Sequence, residues 1–137
     1  MSAAMIALQT ALVAALKADA ALAGLVGAAV FDAPPPGTAP PYVAIVRHDA
    51  TPRDGDLTPG LEHRLALHGW ADRPSRRAAL ELADRIAAVA LALDGAAGLR
   101  LTLRRHERTE TAIDGETGRA RAAVTLAFFT EPDEETD

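Results

Sequence analysis

The chain has no cysteine in its 137 residues. That excludes disulfide scaffolds, thiolate-ligated zinc, iron–sulfur clusters and thiol catalysis. Aromatic residues amount to 4%, so the core must be built from Leu, Val and Ala without rings to anchor it. Lysine is nearly absent: of 14 basic residues all but Lys17 are Arg. No long apolar run offers a membrane span, and the first residues lack the basic stretch of a secretory signal. A basic excess is missing too. The formal net charge is −5, and five acids without a base stand in the last seven residues, Glu131 to Asp137. The remaining body is neutral, which argues against general nucleic-acid binding.

What is there is alanine, 32 residues of it, and a hydrophobic fraction of 49%, enough for one globular domain. We expect an α+β domain over residues 1–130 and a disordered acidic tail over 131–137. Met5, Leu8, Leu12 and Leu16, with Ile6 and Val13 beside them, predict a helix over about residues 3–18 with Ser2 as its cap. Asp19 reads as the cap of a second short helix carrying Leu22 and Leu25, which Gly27 closes. Val30–Asp32 is a short strand. Ala33–Pro41, with five prolines, is a connector at a sheet edge. Tyr42–Arg47 is a strand, and 49–60 reads as a mobile loop.

Leu61–Trp70 alternates, with Leu61, His63, Leu65, Leu67 and Gly69 on one face. Pro74 and the capping candidates Asp72 and Ser75 introduce a helix whose stripe is Ala79, Leu82, Ala83, Ile86, Val89, Ala90 and Leu93. Gly95 and Gly98 end it. Leu99, Leu101 and Leu103, then Val124, Leu126 and Phe128, make two further strands. Asp114-Gly115 signals a turn between them, with a polar tip over 107–119 reaching past the packed sheet. The order α-α-β-β-β-α-β-β gives a mostly antiparallel sheet of four to five strands with helices on one face.

The search for chemistry finds little. His63 and His68 face opposite sides of their strand and share no ligand, while His48 and His106 are placed at strand ends. Asp49, Asp54 and Asp56 lack the ligand pattern of a calcium loop. Ser2 and Ser75 sit at helix starts, and no nucleophile elbow or phosphate loop occurs. Glu107 and Glu110 stand in an exposed place that would not raise a carboxyl pKa. These features name no catalytic, cofactor or metal residue. Arg100, Arg104, Arg105, Arg108, Arg119 and Arg121 gather on the final hairpin, interleaved with Glu107, Glu110, Asp114 and Glu116. They read as a self-paired solvated face or as a subunit interface, with nucleic-acid binding a third reading that the interleaved acids disfavour and Asp54 and Asp56 as further interface candidates.

The order of these segments resembles the phage tail-completion family, the tail terminators of long-tailed phages and gene transfer agents. Asp19, Leu22, Leu25, Val26 and Gly27 match its "D-x-x-L-x-x-L-V-G" turn. Pro40-Pro41-Tyr42-Val43 matches its strand entry, Leu65, Leu67, Trp70 and Ala71 its "h-x-h-x-h-W-A" strand, and Ala78–Leu93 its Ala-rich helix. Glu116-Thr117-Gly118-Arg119-Ala120-Arg121 matches its "E-T-G-x-x-R" entry to the last strand. Ala29 stands where the family often has Arg. The resemblance implies a structural protein without catalysis: a ring, usually of six subunits, on the head-proximal end of the tail tube. Its partners would be the major tail tube protein and a head-completion or adaptor protein. DNA would pass through without sequence-specific binding, and no membrane is involved. The protein would be made in the bacterial cytoplasm and end at the head–tail joint of the particle. A head–tail adaptor or another neck component is the neighbouring reading. A small ligand-binding module using Arg47, His48 and Asp49 is a third.

Overall fold

The computed structural model describes residues 2–54 and 59–133. The chain opens with helix α1, Ser2–Ala18, so Ser2 is its first residue and not a cap outside it. Leu8, Leu12 and Leu16 are fully buried, as their spacing requires. Ile6 is not part of that stripe: it is 64% exposed, because it lies on the opposite side of the helix. Asp19 caps α2, Ala20–Val26, its carboxylate accepting the Leu22 N–H at 2.9 Å. Leu22 and Val26 are the buried residues of α2, and Leu25 is exposed. Gly27 ends it at φ 64°, where a side chain would be strained.

Strand β1, Val30–Phe31, runs parallel to β2, Tyr42–Asp54. The Pro-rich connector lies between them, with a cis peptide at Pro40–Pro41. β3 is Pro59–Trp70. Helix α3, Arg76–Leu91, is capped by Ser75, whose hydroxyl oxygen accepts the Ala78 N–H at 3.0 Å. Asp72 does not cap it but pairs with Arg73. β4 (Gly95–Ala96), β5 (Leu99–Ile113) and β6 (Ala120–Pro132) complete the chain. The sheet has six strands in the order β1-β2-β3-β6-β5-β4, so it is a mixed sheet with one parallel pair. The α+β class and the mostly antiparallel sheet stand; β1, expected as a strand, pairs in parallel, and the expected count and order are corrected by β4, where Gly95 pairs with Arg100 instead of closing the helix.

Parts of two predicted loops are strand, and residues 55–58 of the first lie outside the described ones. Residues 49–54 continue β2, and Asp49 pairs with Arg64 and Arg53 with Gly60. On the other hairpin, Thr109 pairs with Val124 and Ile113 with Ala120. Residues 107–113 therefore lie within the sheet, and the turn is confined to 114–119. Asp114 anchors it by accepting from Thr117 N–H and hydroxyl, at 2.9 and 2.8 Å, and Gly118, not Gly115, takes the positive φ. Glu131 and Pro132 belong to β6, so the boundary drawn after residue 130 falls inside that strand, and residues 134–137 lie outside the described ones.

Helices cover one face of the sheet. On that face His63, Leu65, Leu67 and Gly69 of β3 stand opposite Phe128, Leu126, Val124 and Ala122 of β6, all buried. The α3 stripe from Ala79 to Leu93 packs there, as its period requires. Leu101 joins this core, but a register shift follows it, and Leu103 pairs with Phe129 on the other face. A bulge of one residue exchanges the two faces, so the Leu-x-Leu-x-Leu alternation does not give Leu103 a place in the core.

Gly69 lies beneath α3. A Cβ built there would stand 2.9 Å from the Leu82 Cβ, closer than carbon atoms pack. Gly69→Ala is expected to destabilise the fold by about 1–3 kcal/mol through overpacking, read as a lower urea midpoint with unchanged slope.

Candidate functional site

The uncovered face of the sheet carries most of the arginines singled out above. Along β6 this face offers small side chains, Ala123, Thr125 and Ala127, between the longer ones of β3 and β5. Long charged chains therefore reach across the central strand. Arg64 of β3 forms a two-pronged ion pair with Glu107 of β5, at 2.8 and 3.1 Å, over Ala127, which is completely buried as a result. Arg105 joins Glu107 at 3.1 Å. Hydrogen bonds from Arg64, then from Arg105, hold the Glu107 carboxyl at about 2, against burial that would raise it. The exposure expected of this acid is thus accompanied by pairing, and its pKa moves down. Arg108 pairs with Glu110, and Arg121 lies 3.8 Å from the same carboxylate. The Arg121 Nε is buried with no hydrogen-bond partner among the described residues.

The remaining candidates lie elsewhere. Arg104, turned to the helix side by the register shift, donates to the Leu93 and Asp94 carbonyls beyond α3. Arg100 pairs with Glu131 at 2.5 Å. Asp114, Glu116 and Arg119 belong to the turn after β5, and Asp114 is used internally, its carboxyl lowered first by the Thr117 hydroxyl. Asp54 ends β2, and Asp56 lies outside the described residues. The structure thus distributes the set over an ion-paired sheet face, a turn and a helix end.

Arg47, His48 and Asp49 do not converge. Arg47 and Asp49 pair with each other at 2.7 Å on the uncovered face, and His48 points into the covered one. His48 is in mid-strand, as is His106, because both strands outrun their apolar segments.

On the covered face lies a polar chain that the sequence reading did not assemble. Gln9 of α1 bonds His48 Nδ1, His48 Nε2 bonds His63 Nδ1, and His63 Nε2 bonds the Thr130 hydroxyl, each at 2.9 Å. The Gln9 amide N–H donates, so each neutral histidine carries its proton on Nε2 and passes one hydrogen bond onward. Four elements are joined this way. His63 and Thr130 are fully or almost fully buried, and no carboxylate enters the chain. Burial, then the neighbouring His48, pushes the His63 pKa down to about 4; burial also lowers His48, against a smaller opposing effect of Asp49. His68, on the other face, is lowered by burial first and Arg121 second. The visible signal was His63 on the Leu65–Leu67 face; its partner depended on the register of β2.

No group of three or more metal-ligating side chains occurs among the described residues. The surface of α1 is the other unusual feature. Residues 2–16 carry no charge, and Ala3, Ile6, Ala7, Ala14 and Ala97 line an open apolar groove of about 570 Å³.

The histidine chain fixes a pH dependence. The folded state resists protonation of His63 down to about pH 4, whereas an unfolded histidine accepts a proton near 6.5. Between those values the unfolded chain binds more protons, so stability falls as pH drops through 6.5, by about 3 kcal/mol in all, and this contribution stops changing below 4. Histidine NMR across this range should show His63 neutral at pH 5; titration near 6.5 would contradict the assignment.

Comparison with known proteins points to a structural role. The family model for the tail completion protein gp17 matches residues 10–131. None of the curated protein sequences matches the chain. Among solved structures, it is similar to a chain in the "Virion of native gene transfer agent (GTA) particle", with 27% identity and a TM-score of 0.85. That similarity covers 96% of this chain and 99% of the other. With the family model spanning nearly the whole fold, the chain belongs to the gp17 tail completion family and is a structural component of phage-type tails.

Proposed function

We propose that copies of this chain form a closed ring, of six subunits as the family resemblance implies, on the head-proximal end of a tail tube. The ring ends tube growth and presents the surface on which a head-completion or adaptor protein docks. The observation that carries this reading is the near-complete match, over 96% of this chain and 99% of the other, to a chain of a gene transfer agent virion. The architecture supports it. A ring needs head-to-tail contacts between two different patches on each subunit, and the two sides of this sheet differ: β2 with the Pro-rich connector on one, β5 with its arginines on the other. The candidate set Arg100, Arg104, Arg105, Arg108, Glu110, Asp114, Glu116, Arg119, Arg121, Asp54 and Asp56 is proposed to contribute to subunit or partner contacts.

The ion pairing of the uncovered face supports passage of DNA without sequence readout. Arg64, Arg105, Arg108 and Arg121 all lie near Glu107 or Glu110, which limits the phosphate contacts they offer. The chain would be made in the bacterial cytoplasm and reside at the head–tail joint.

Removal of the chain from a producing strain tests the terminator role. Electron microscopy of the lysate should show tubes of uncontrolled length and full heads without tails, and wild-type chain supplied in trans should restore both. Joined particles of normal tail length in its absence would reject the reading.

A further inference from the structure

β1 and β4 are two residues long and lie on opposite sides of the sheet. β1 covers the β2 edge only at Val43 and Ala44, and β4 covers the β5 edge only at Leu99 and Arg100. Among the described residues, the stretches Ile45–Arg53 of β2 and Leu101–Thr109 of β5 therefore have no strand on their outer sides. Unpaired backbone edges of this length are a standing invitation to strand addition.

The strand directions restrict what can be added. β2, β3, β6 and β5 alternate in direction without exception. A copy repeated by rotation about an axis along the strands keeps its directions. Its β5 then runs antiparallel to the β2 of its neighbour, and the alternation continues unbroken across the boundary. A two-fold arrangement would instead bring β2 to β2 or β5 to β5.

The levels of the two edges also match. Through the ladder, Asp49 is level with Arg64, Ala127 and Arg105, and Thr51 is level with Glu62, Phe129 and Leu103. Set side by side at one height, Asp49 of one copy meets Arg105 of the next, an opposite-charge cross-strand pair. The stubs β1 and β4 then fall at opposite ends of the contact and bound it. The register shifts after Ile45, Leu101 and His106, with Pro52, interrupt both edges. Such interruptions suit an edge that must stay unpaired until assembly.

We infer that successive copies of this chain join edge to edge, the free β5 edge of one pairing with the free β2 edge of the next to continue the sheet around the ring. This rests on the ring reading above and specifies its contact. It also turns the uncovered face of every subunit to the same side of the ring.

The absence of cysteine makes the test clean. Within one chain β2 and β5 stand three strand spacings apart, about 14 Å, too far for a disulfide. Asp49→Cys is combined in turn with Leu103→Cys, Arg105→Cys and Arg108→Cys, positions that allow for a stagger of the strands. Asp49, Arg105 and Arg108 are exposed and Leu103 is half-buried. Each double variant is supplied to the strain lacking the chain, and the particles are oxidised and run on a non-reducing gel. The expected result is a ladder of covalent oligomers from at least one pair, absent from the single variants and abolished by reductant. Variants that enter joined particles but give no ladder with any pair overturn edge pairing while leaving the tail role standing. Dimers from a single variant alone indicate a two-fold contact and overturn it as well. If wild-type chain is itself missing from the particles, the ring reading fails and the edge inference with it.

Discussion

Everything in this structure depends on one constraint: a four-stranded antiparallel ladder has one face that must be dry and one that is left wet. The core face of β3 and β6 is paired residue by residue, Leu65 with Leu126 and Leu67 with Val124. Helices α1 and α3 have to cover it, and the buried alanines of α3 follow from that. Small side chains at Ala79, Ala83 and Ala90 let α3 approach closely, and Gly69 removes the last obstacle beneath Leu82. The same register brings His48, His63 and Thr130 under α1, where Gln9 completes the chain. Asp19 couples the helices themselves: besides capping α2 it receives both prongs of Arg85 from α3.

The wet face obeys the same ladder. With Ala123, Thr125 and Ala127 on the central strand, Arg64, Glu107, Arg121 and Glu110 meet over it. Exposed pairs of this kind contribute little stability individually, and their consequence is a face of nearly balanced charge. Such a balance leaves these arginines with few phosphate contacts to offer.

The sequence made much of this legible where periodicity reflects burial. The α3 stripe, the Leu65–Leu67–Gly69 face and the caps Asp19 and Ser75 were readable because each is a local pattern with a single physical cause. Strand beyond Arg47 and past Leu103 was not readable. Those stretches line the sheet edges, each paired on one side, so nothing requires apolar residues there and composition imitates a loop. Bulges after Ile45, Leu101 and His106 were invisible as well, since one inserted residue leaves composition unchanged while exchanging the faces. The histidine chain needed a β2–β3 register that no single segment contains. The candidate site was legible as a cluster of arginines but not as a geometry: Arg104 serves a helix end, Arg64 and Glu107 proved the central pair, and the free edges became visible with the shortness of β1 and β4.

The place proposed for this fold is the joint between head and tail. Gold-labelled antibody against the chain, applied to purified particles and viewed by electron microscopy, tests it most directly. The account predicts gold at the head–tail joint and none along the tube or at its distal end. Gold elsewhere on the particle, or particles without label beside soluble chain in the lysate, would contradict it.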